Sequence, residues 1–417
     1  MSTLTPRRVV HPLGLAACLS LFGDLTLFAV LASQMQVVGL TLGAVGVMLG
    51  VHRLIRIPGN AIAGQLYDRW GRRPLFLAGM VLALLSTTGY GLVRGFWPFL
   101  VTRLAWGVAW MLINVGGLAM VVDVSTRADR GRWMGVYNTW LVAGMALGPL
   151  VGGLLADTVG FRLSLLACGG ITAVGLAVAA VALPETDSAR RGGRRNAPPT
   201  VQEPVRPRRR RTLGEGWRLR RENAGLARAS ALYLIVQFTG EGIVFSTVNL
   251  LLQERFGEQV TVGTFVLGLG SAAGLILGVR SLLVGTAGPL AGHVSDRRGV
   301  RTQVIVAGLA AGLAGFGLLA FANSIWLALL GVGLGAAGSG AVLATLAALV
   351  GDLTPPGRQG TVMGLYAAAG DVGSTAGPFL AFALAPIADL RWIYLACCLA
   401  FAAGLALIWP VRRSGAV

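Results

Sequence analysis

What most limits the fold of this chain is a series of long apolar runs. A helix rises about 1.5 Å per residue, so about 20 apolar residues reach across the hydrocarbon core of a bilayer. Twelve such runs lie near residues 12–33, 38–66, 74–93, 97–122, 132–157, 162–183, 229–252, 261–291, 302–322, 325–350, 359–387 and 390–410 of the 417. Lipid offers backbone N–H and C=O groups no partner, so each run is expected to be a helix. Alternating segments of about ten residues, the mark of a porin-like barrel, are absent from the sequence. Charged residues make up 12%, half of the roughly 25% usual in soluble domains. A soluble enzyme with one large core is thereby excluded. The expected fold class is an all-α integral membrane protein with twelve transmembrane helices.

Charge placement sets the topology. The chain has 35 basic residues, all Arg, and a net charge of +18. They lie in short segments between apolar runs, the pattern of a multi-pass membrane protein, and no nucleic-acid partner is expected. With both termini inside, 27 Arg fall on inner segments and 4 on outer ends (Arg94, Arg162, Arg255 and Arg391). The positive-inside bias predicts a plasma (inner) membrane protein with both termini cytoplasmic. Residues 184–228 hold thirteen Arg with Pro198, Pro199, Pro204 and Pro207. They read as a cytoplasmic linker lying on anionic lipid headgroups, with a candidate surface helix at 217–228. The division is then an N-terminal six-helix bundle over 1–183, a linker over 184–228 and a C-terminal six-helix bundle over 229–417. Asp24 inside the first run argues for a retained span rather than a cleaved signal. Cys18, Cys168, Cys397 and Cys398 all lie in apolar runs and read as small buried hydrophobes, so no metal site is expected.

The halves repeat one another at a nearly constant spacing. Gly64-Gln-Leu-Tyr-Asp68-Arg69-Trp-Gly71-Arg72-Arg73 recurs in the second half as Gly292-His-Val-Ser-Asp296-Arg297-Arg298-Gly299-Val-Arg301. Asp123, Gly131, Met134, Gly135 and Tyr137 recur as Asp352, Gly360, Met363, Gly364 and Tyr366, and Gly148-Pro149 as Gly377-Pro378. Internal repeats on this scale mark secondary transporters, whose sites lie between the halves near the midplane.

With these residues in view the chain resembles the major facilitator superfamily over nearly its whole length. The Gly64, Leu66, Asp68, Arg69, Gly71, Arg72, Arg73 loop matches that family's loop between spans 2 and 3. Arg103 and Gly107 match its span-4 motif, although Trp106 stands where a polar residue is usual. Gly144, Gly148, Pro149, Gly152 and Gly153 meet in full its span-5 motif, associated with antiporters and especially drug/proton exporters. The resemblance implies two pseudo-symmetric six-helix bundles, a cavity lined by spans 1, 4, 7 and 10, and a role for Arg103 in proton transfer. It implies that the loop at Asp68 and its copy at Asp296 latch the halves on the cytoplasmic side. Physically, Gly71 permits a sharp turn, and the span-5 glycines let helices approach closely while Pro149 can bend one.

Charges within the spans are functional candidates, because each costs at least about 2.5–3.5 kcal/mol at the bilayer centre. Asp24 and Glu241 each lie twelve residues into the first span of a half, about 18 Å deep, and each follows a Gly. A desolvated carboxyl can load and release a proton near neutral pH, so Asp24, Glu241, Arg103 and Asp371 are proton-coupling candidates; the alternative is a permanent ion pair. Arg53, Arg56 and Asn60 share a face of span 2, and Arg103, Trp106, Trp110 and Asn114 one of span 4. With Gln237 and Arg280 they are the substrate-cavity candidates. Aromatic and amide groups beside a charge suit an amphipathic solute. Four intramembrane Arg face three acids, which leaves room for an anion, and Arg53 and Arg56 lie outside the general family pattern.

The function expected is secondary active transport of a small organic solute by alternating access, as proton-coupled antiport with export. Uptake of an organic anion or sugar by symport or facilitation is the alternative within transport, and a non-transporting membrane sensor the remote one. No cofactor is expected beyond a proton gradient, and the partners are the solute and membrane lipid, with the chain a monomer. A membrane-embedded enzyme lacks support, since His11, His52 and His293 are scattered. The Gly333-x-Gly335-x-x-Gly338 run lacks the preceding strand that phosphate binding requires.

Overall fold

With no water to satisfy the backbone inside a bilayer, regular helices are what these apolar runs can form. A computed structural model describes residues 5–126, 128–186, 224–262, 264–354 and 359–413. The described residues form twelve long helices. They are α1 (Pro6–Val30), α2 (Leu42–Trp70), α3 (Arg72–Leu92), α4 (Phe96–Val124), α5 (Arg130–Val159) and α6 (Phe161–Ala182), then α7 (Ala224–Phe256), α8 (Leu269–Arg298), α9 (Arg301–Ala320), α10 (Ile325–Leu353), α11 (Gln359–Leu384) and α12 (Leu390–Arg413). Ten of them, all but α2 and α11, are long and apolar enough to cross a membrane by length and composition. In α2 the cluster His52, Arg53, Arg56 and Asn60 lowers the apolarity.

Two elements depart from the sequence reading. The apolar run at 261–291 is not all helix: Gln259–Val262 (β1) and Phe265–Gly268 (β2) form an antiparallel hairpin, and α8 starts at Leu269. Gly257, at φ +79°, ends α7, and the β-branched pair Val260 and Thr261 favours an extended chain there. α7 itself begins at Ala224, inside the segment read as linker, so residues 224–228 of the candidate surface helix belong to α7. Residues 187–223 of that segment lie outside the described residues.

The first six helices pack among themselves, as do the last six, and the halves meet chiefly through α5 on α8 and α2 on α11. These two contacts are repeat-related. Large apolar side chains such as Leu85, Val101, Val181 and Leu399 are exposed on the outer surface, the inverse of a soluble protein and what a lipid solvent requires. Trp97 near the start of α4 and Trp326 near the start of α10 occupy one repeat position and are both exposed, as expected of interfacial aromatic anchors.

Candidate functional site

Helices α1, α2, α3 and α4 build one buried ionic cluster. Asp24 is paired with the Nη1 of Arg103, and Arg103 is fully buried. The same guanidinium donates from Nε to the Met48 carbonyl at 2.7 Å and from Nη1 to the Tyr90 hydroxyl at 3.2 Å. Its Nη2 lies 2.7 Å from His52 Nδ1. Arg has no acceptor, so Nδ1 accepts and the ring proton sits on Nε2. Gly107 makes this possible: a Cβ there would stand 2.6 Å from the His52 carbonyl oxygen, so only Gly lets α4 rest on α2 at this height. The Arg103–Gly107 pair is thus a donor and the close approach that places it.

A second cluster belongs to α7, α8, α2 and α11. Glu241 accepts from Arg280 Nη1 at 2.8 Å and faces Arg53 Nη2 at 3.6 Å. Arg56 pairs with Asp371 at 3.4 Å. Glu241 sits in a π-helical stretch, Gln237–Val244, that interrupts α7. Gly240 and Gly242 flank it, and Gly242 lies against Gly377 of α11. Such wide turns recur at functional sites. Phe28 and Phe245 meet across the halves at 4.9 Å, with Arg53 over the first ring at 5.9 Å and Arg280 over the second at 5.1 Å.

Both clusters border a central cavity of about 320 Å³, whose wall includes Asp24, Arg53, Arg56, Trp110, Gln237, Glu241 and Asp371. Helices α2, α5, α8 and α11 contribute to it as well as α1, α4, α7 and α10, so the expectation of four lining spans is too narrow. A second cavity of about 560 Å³ shares Glu241, Met145, Val284 and Leu343 with the first. It continues along α8 from Arg280 to Gly292, and so leads to the end that carries the basic loops. Trp106 lines the central cavity stacked behind Trp110 at 6.3 Å. Asn60 and Asn114 are not among the residues lining either cavity, and the Asn60 Oδ1 is buried without a hydrogen-bond partner among the described residues.

The opposite end is shut. Gly153 lies on the Gly270 carbonyl, Gly274 on that of Pro149, and Gly46 and Gly50 of α2 on Pro378, Phe379 and Phe382 of α11. Asp157 of α5 accepts from the backbone N–H of Gly270 and Ser271 at 3.0 and 2.6 Å, capping the start of α8. Asn249 of α7 donates to the Ala29 carbonyl and accepts from Ser33 N–H. The span-5 motif divides its work: Gly144, Gly148 and Gly152 face α1, while Gly153 and the Pro149 carbonyl face α8.

The loop motif lies at the open end, away from the chamber. Gly71 turns the chain from α2 into α3 at φ +91°. Arg72 bonds Asp123 at 3.2 Å, and Glu185 accepts from the N–H groups of Arg72 and Arg73 at the start of α3. In the second half Gly299 turns at φ +64°, and Arg301 pairs with Asp296 and Asp352. These pairs lie within one half each. Among the described residues, Gly64, Gly135, Gly292 and Gly364 at this end have no atom within 4 Å of a would-be Cβ. Arg69 has an interaction partner and Arg297 is exposed. The Asp68 side chain lies outside what is described.

A family model for the Major Facilitator Superfamily matches residues 13–279 and 269–416. The chain belongs to the major facilitator superfamily. Members of this superfamily are multi-pass membrane transporters and not enzymes. Tetracycline resistance protein, class C, from Escherichia coli is 26% identical over 368 residues, 88% of this chain and 86% of its own length. Multidrug resistance protein MdtG from Dickeya zeae is 27% identical over 354 residues, 84% of this chain and 80% of its own. A solved structure, a bacterial homologue of the human lysosomal transporter Spinster in an inward-facing, unoccupied conformation, shares the fold with a TM-score of 0.70 at 17% identity, covering 98% of this chain and 95% of its own.

Within this major facilitator chain, sequence reading left His52 without a role and missed Tyr90, Phe28, Phe245, Tyr233, Glu185 and Asp157. A signal existed for some of them. His52 and Arg280 occupy one repeat position, at the same spacing that relates Gly64 to Gly292. Phe28 and Phe245 each follow by four a carboxylate within an apolar run. Setting α1 on α7 by Asp24 and Glu241 brings the two Phe into register.

Proposed function

We propose that this transporter moves a small organic solute by alternating access, as a proton-coupled antiporter that exports it. In that cycle the two halves rock about a central site that opens to each side in turn. The observation that carries the reading is the Asp24–Arg103 pair at the cavity wall. A proton arriving at Asp24 removes the counter-charge of Arg103, while His52, Tyr90 and the Met48 carbonyl continue to accept its N–H groups. Protonation therefore changes what holds α1 to α4 without leaving the guanidinium unsatisfied.

The basic loops at the open end support a cytoplasmic position for it by the positive-inside rule, the side from which an exporter loads. The relatives named for resistance to tetracycline and to several drugs support export. Asp371 and Glu241 are further proton-coupling candidates. Closure of the open end by the Asp68 and Asp296 loops completes the cycle. A monomer suffices, with the proton gradient as its energy source and the inner membrane as its site. One observation favours a second reading, proton–anion symport: two Arg share Glu241, and an anion and a proton entering that field favour each other.

The test uses purified protein in liposomes with the basic end outward and tetracycline as probe. Antiport export predicts accumulation only when the lumen is acid, abolished by a protonophore. Flux unchanged without a gradient overturns the coupling, and accumulation driven only by an alkaline lumen favours symport.

A further inference from the structure

The second ionic cluster is not balanced. Arg56 has Asp371 to itself, but Glu241 is divided between Arg280 and Arg53. Among the described residues, one guanidinium charge therefore lacks a counter-ion, and the imbalance falls on Arg53. Its contact with Glu241, at 3.6 Å, is the longer of the two. Its Nε is buried with no hydrogen-bond partner among the described residues, the residue is 9% exposed, and it lines the central cavity. A buried charged donor without an acceptor is costly. The Asp24–Arg103 cluster shows no such deficit.

We propose that the chamber binds an organic anion, whose acidic group takes Arg53 from Glu241 and whose apolar body lies against Trp110 and Phe245. The inference rests on the transporter reading and names the chemical class of its solute, whichever way that solute moves. A cation is disfavoured, because it would compete with two guanidinium groups for one carboxylate. An inorganic anion would leave the aromatic wall of Trp106, Trp110, Tyr233 and Phe245 without a partner. The 320 Å³ volume falls in the range of about 300–1,000 Å³ found for small-molecule sites.

The experiment compares three isosteric probes on the purified full chain: 2-naphthoate, 2-naphthamide and 2-naphthylmethylammonium. Binding is read by thermal stabilisation and by quenching of Trp fluorescence. The naphthoate is expected to bind at least about tenfold more tightly than the amide, a difference of one decade in Kd. Arg53→Gln is expected to erase that preference, and Glu241→Gln to raise naphthoate affinity by freeing Arg53. Equal or tighter binding of the amide or ammonium, or an unchanged preference in Arg53→Gln, overturns the proposal.

Should none of the three bind, the sign of the chamber's field decides. In Gln237→Cys, an anionic methanethiosulfonate should modify the thiol faster than a cationic one, after normalisation to a free thiol. An equal or reversed order overturns the inference. Failure of the transporter reading shows separately, as an anion that binds but is never carried across a liposome.

Discussion

Asp24 in α1 and Glu241 in α7 stand at matching depth in the two halves, and their surroundings differ in one respect that matters. Asp24 meets one Arg, and that Arg is fully buried with three further partners. Glu241 meets two Arg, one of them short of an acceptor and open to the cavity. The source of the Arg differs as well. Position 103 in α4 has Val332 as its repeat counterpart, while the α8 Arg280 corresponds to His52. On one duplicated scaffold the first cluster is self-sufficient in partners and the second is not; the proposal assigns the proton to the first and a charged solute to the second.

The contrast breaks most severely at Arg103. Arg103→Ala leaves Asp24 buried without its partner and is expected to cost about 3–5 kcal/mol, read by denaturation in detergent. The double change Asp24→Asn with Arg103→Ala should recover part of that loss. Next in size is Gly153→Leu, which places a side chain where the Gly270 backbone now lies and should force the shut end apart. Labelling of a buried Thr375→Cys by an impermeant maleimide from that side should rise about tenfold, a shift of roughly 1.4 kcal/mol. Arg53→Gln should change stability by no more than about 1 kcal/mol, since it removes the charge that lacks a counter-ion and Glu241 keeps Arg280; a loss as large as that of Arg103→Ala would erase the distinction between the clusters. Asp157→Asn keeps an acceptor for only one of the two N–H groups that Asp157 now caps on α8 and removes the charge; it should weaken the shut end by about 0.5–1 kcal/mol, read as a small rise in the same maleimide labelling.

Much of the architecture was legible because lipid imposes a simple rule: a run long enough to span must be helical. The repeat was legible because Gly71 and Gly299 sit at turns with positive φ, where substitution is strained. That Asp24, Glu241 and Arg280 lie well inside long helices followed from counting residues along the apolar runs. Pairing did not, since Arg53, Arg56, Arg103 and Arg280 all lie near one height and long side chains reach several carboxylates. The hairpin at 259–268 was hidden because its Val, Phe and Leu continue the apolar run of α8. The π-helical stretch around Glu241 left only its flanking glycines as a trace. The shut end depends on Asp157 and Asn249 reaching across the halves, contacts that no local pattern encodes.

The division of labour between the clusters is tested most directly by Asp24→Asn in liposomes, following radiolabelled 2-naphthoate. The account predicts that exchange of the probe down its own gradient persists while pH-driven uphill movement disappears. Uphill movement that survives the substitution, or a native chain that carries no probe at all, would contradict it.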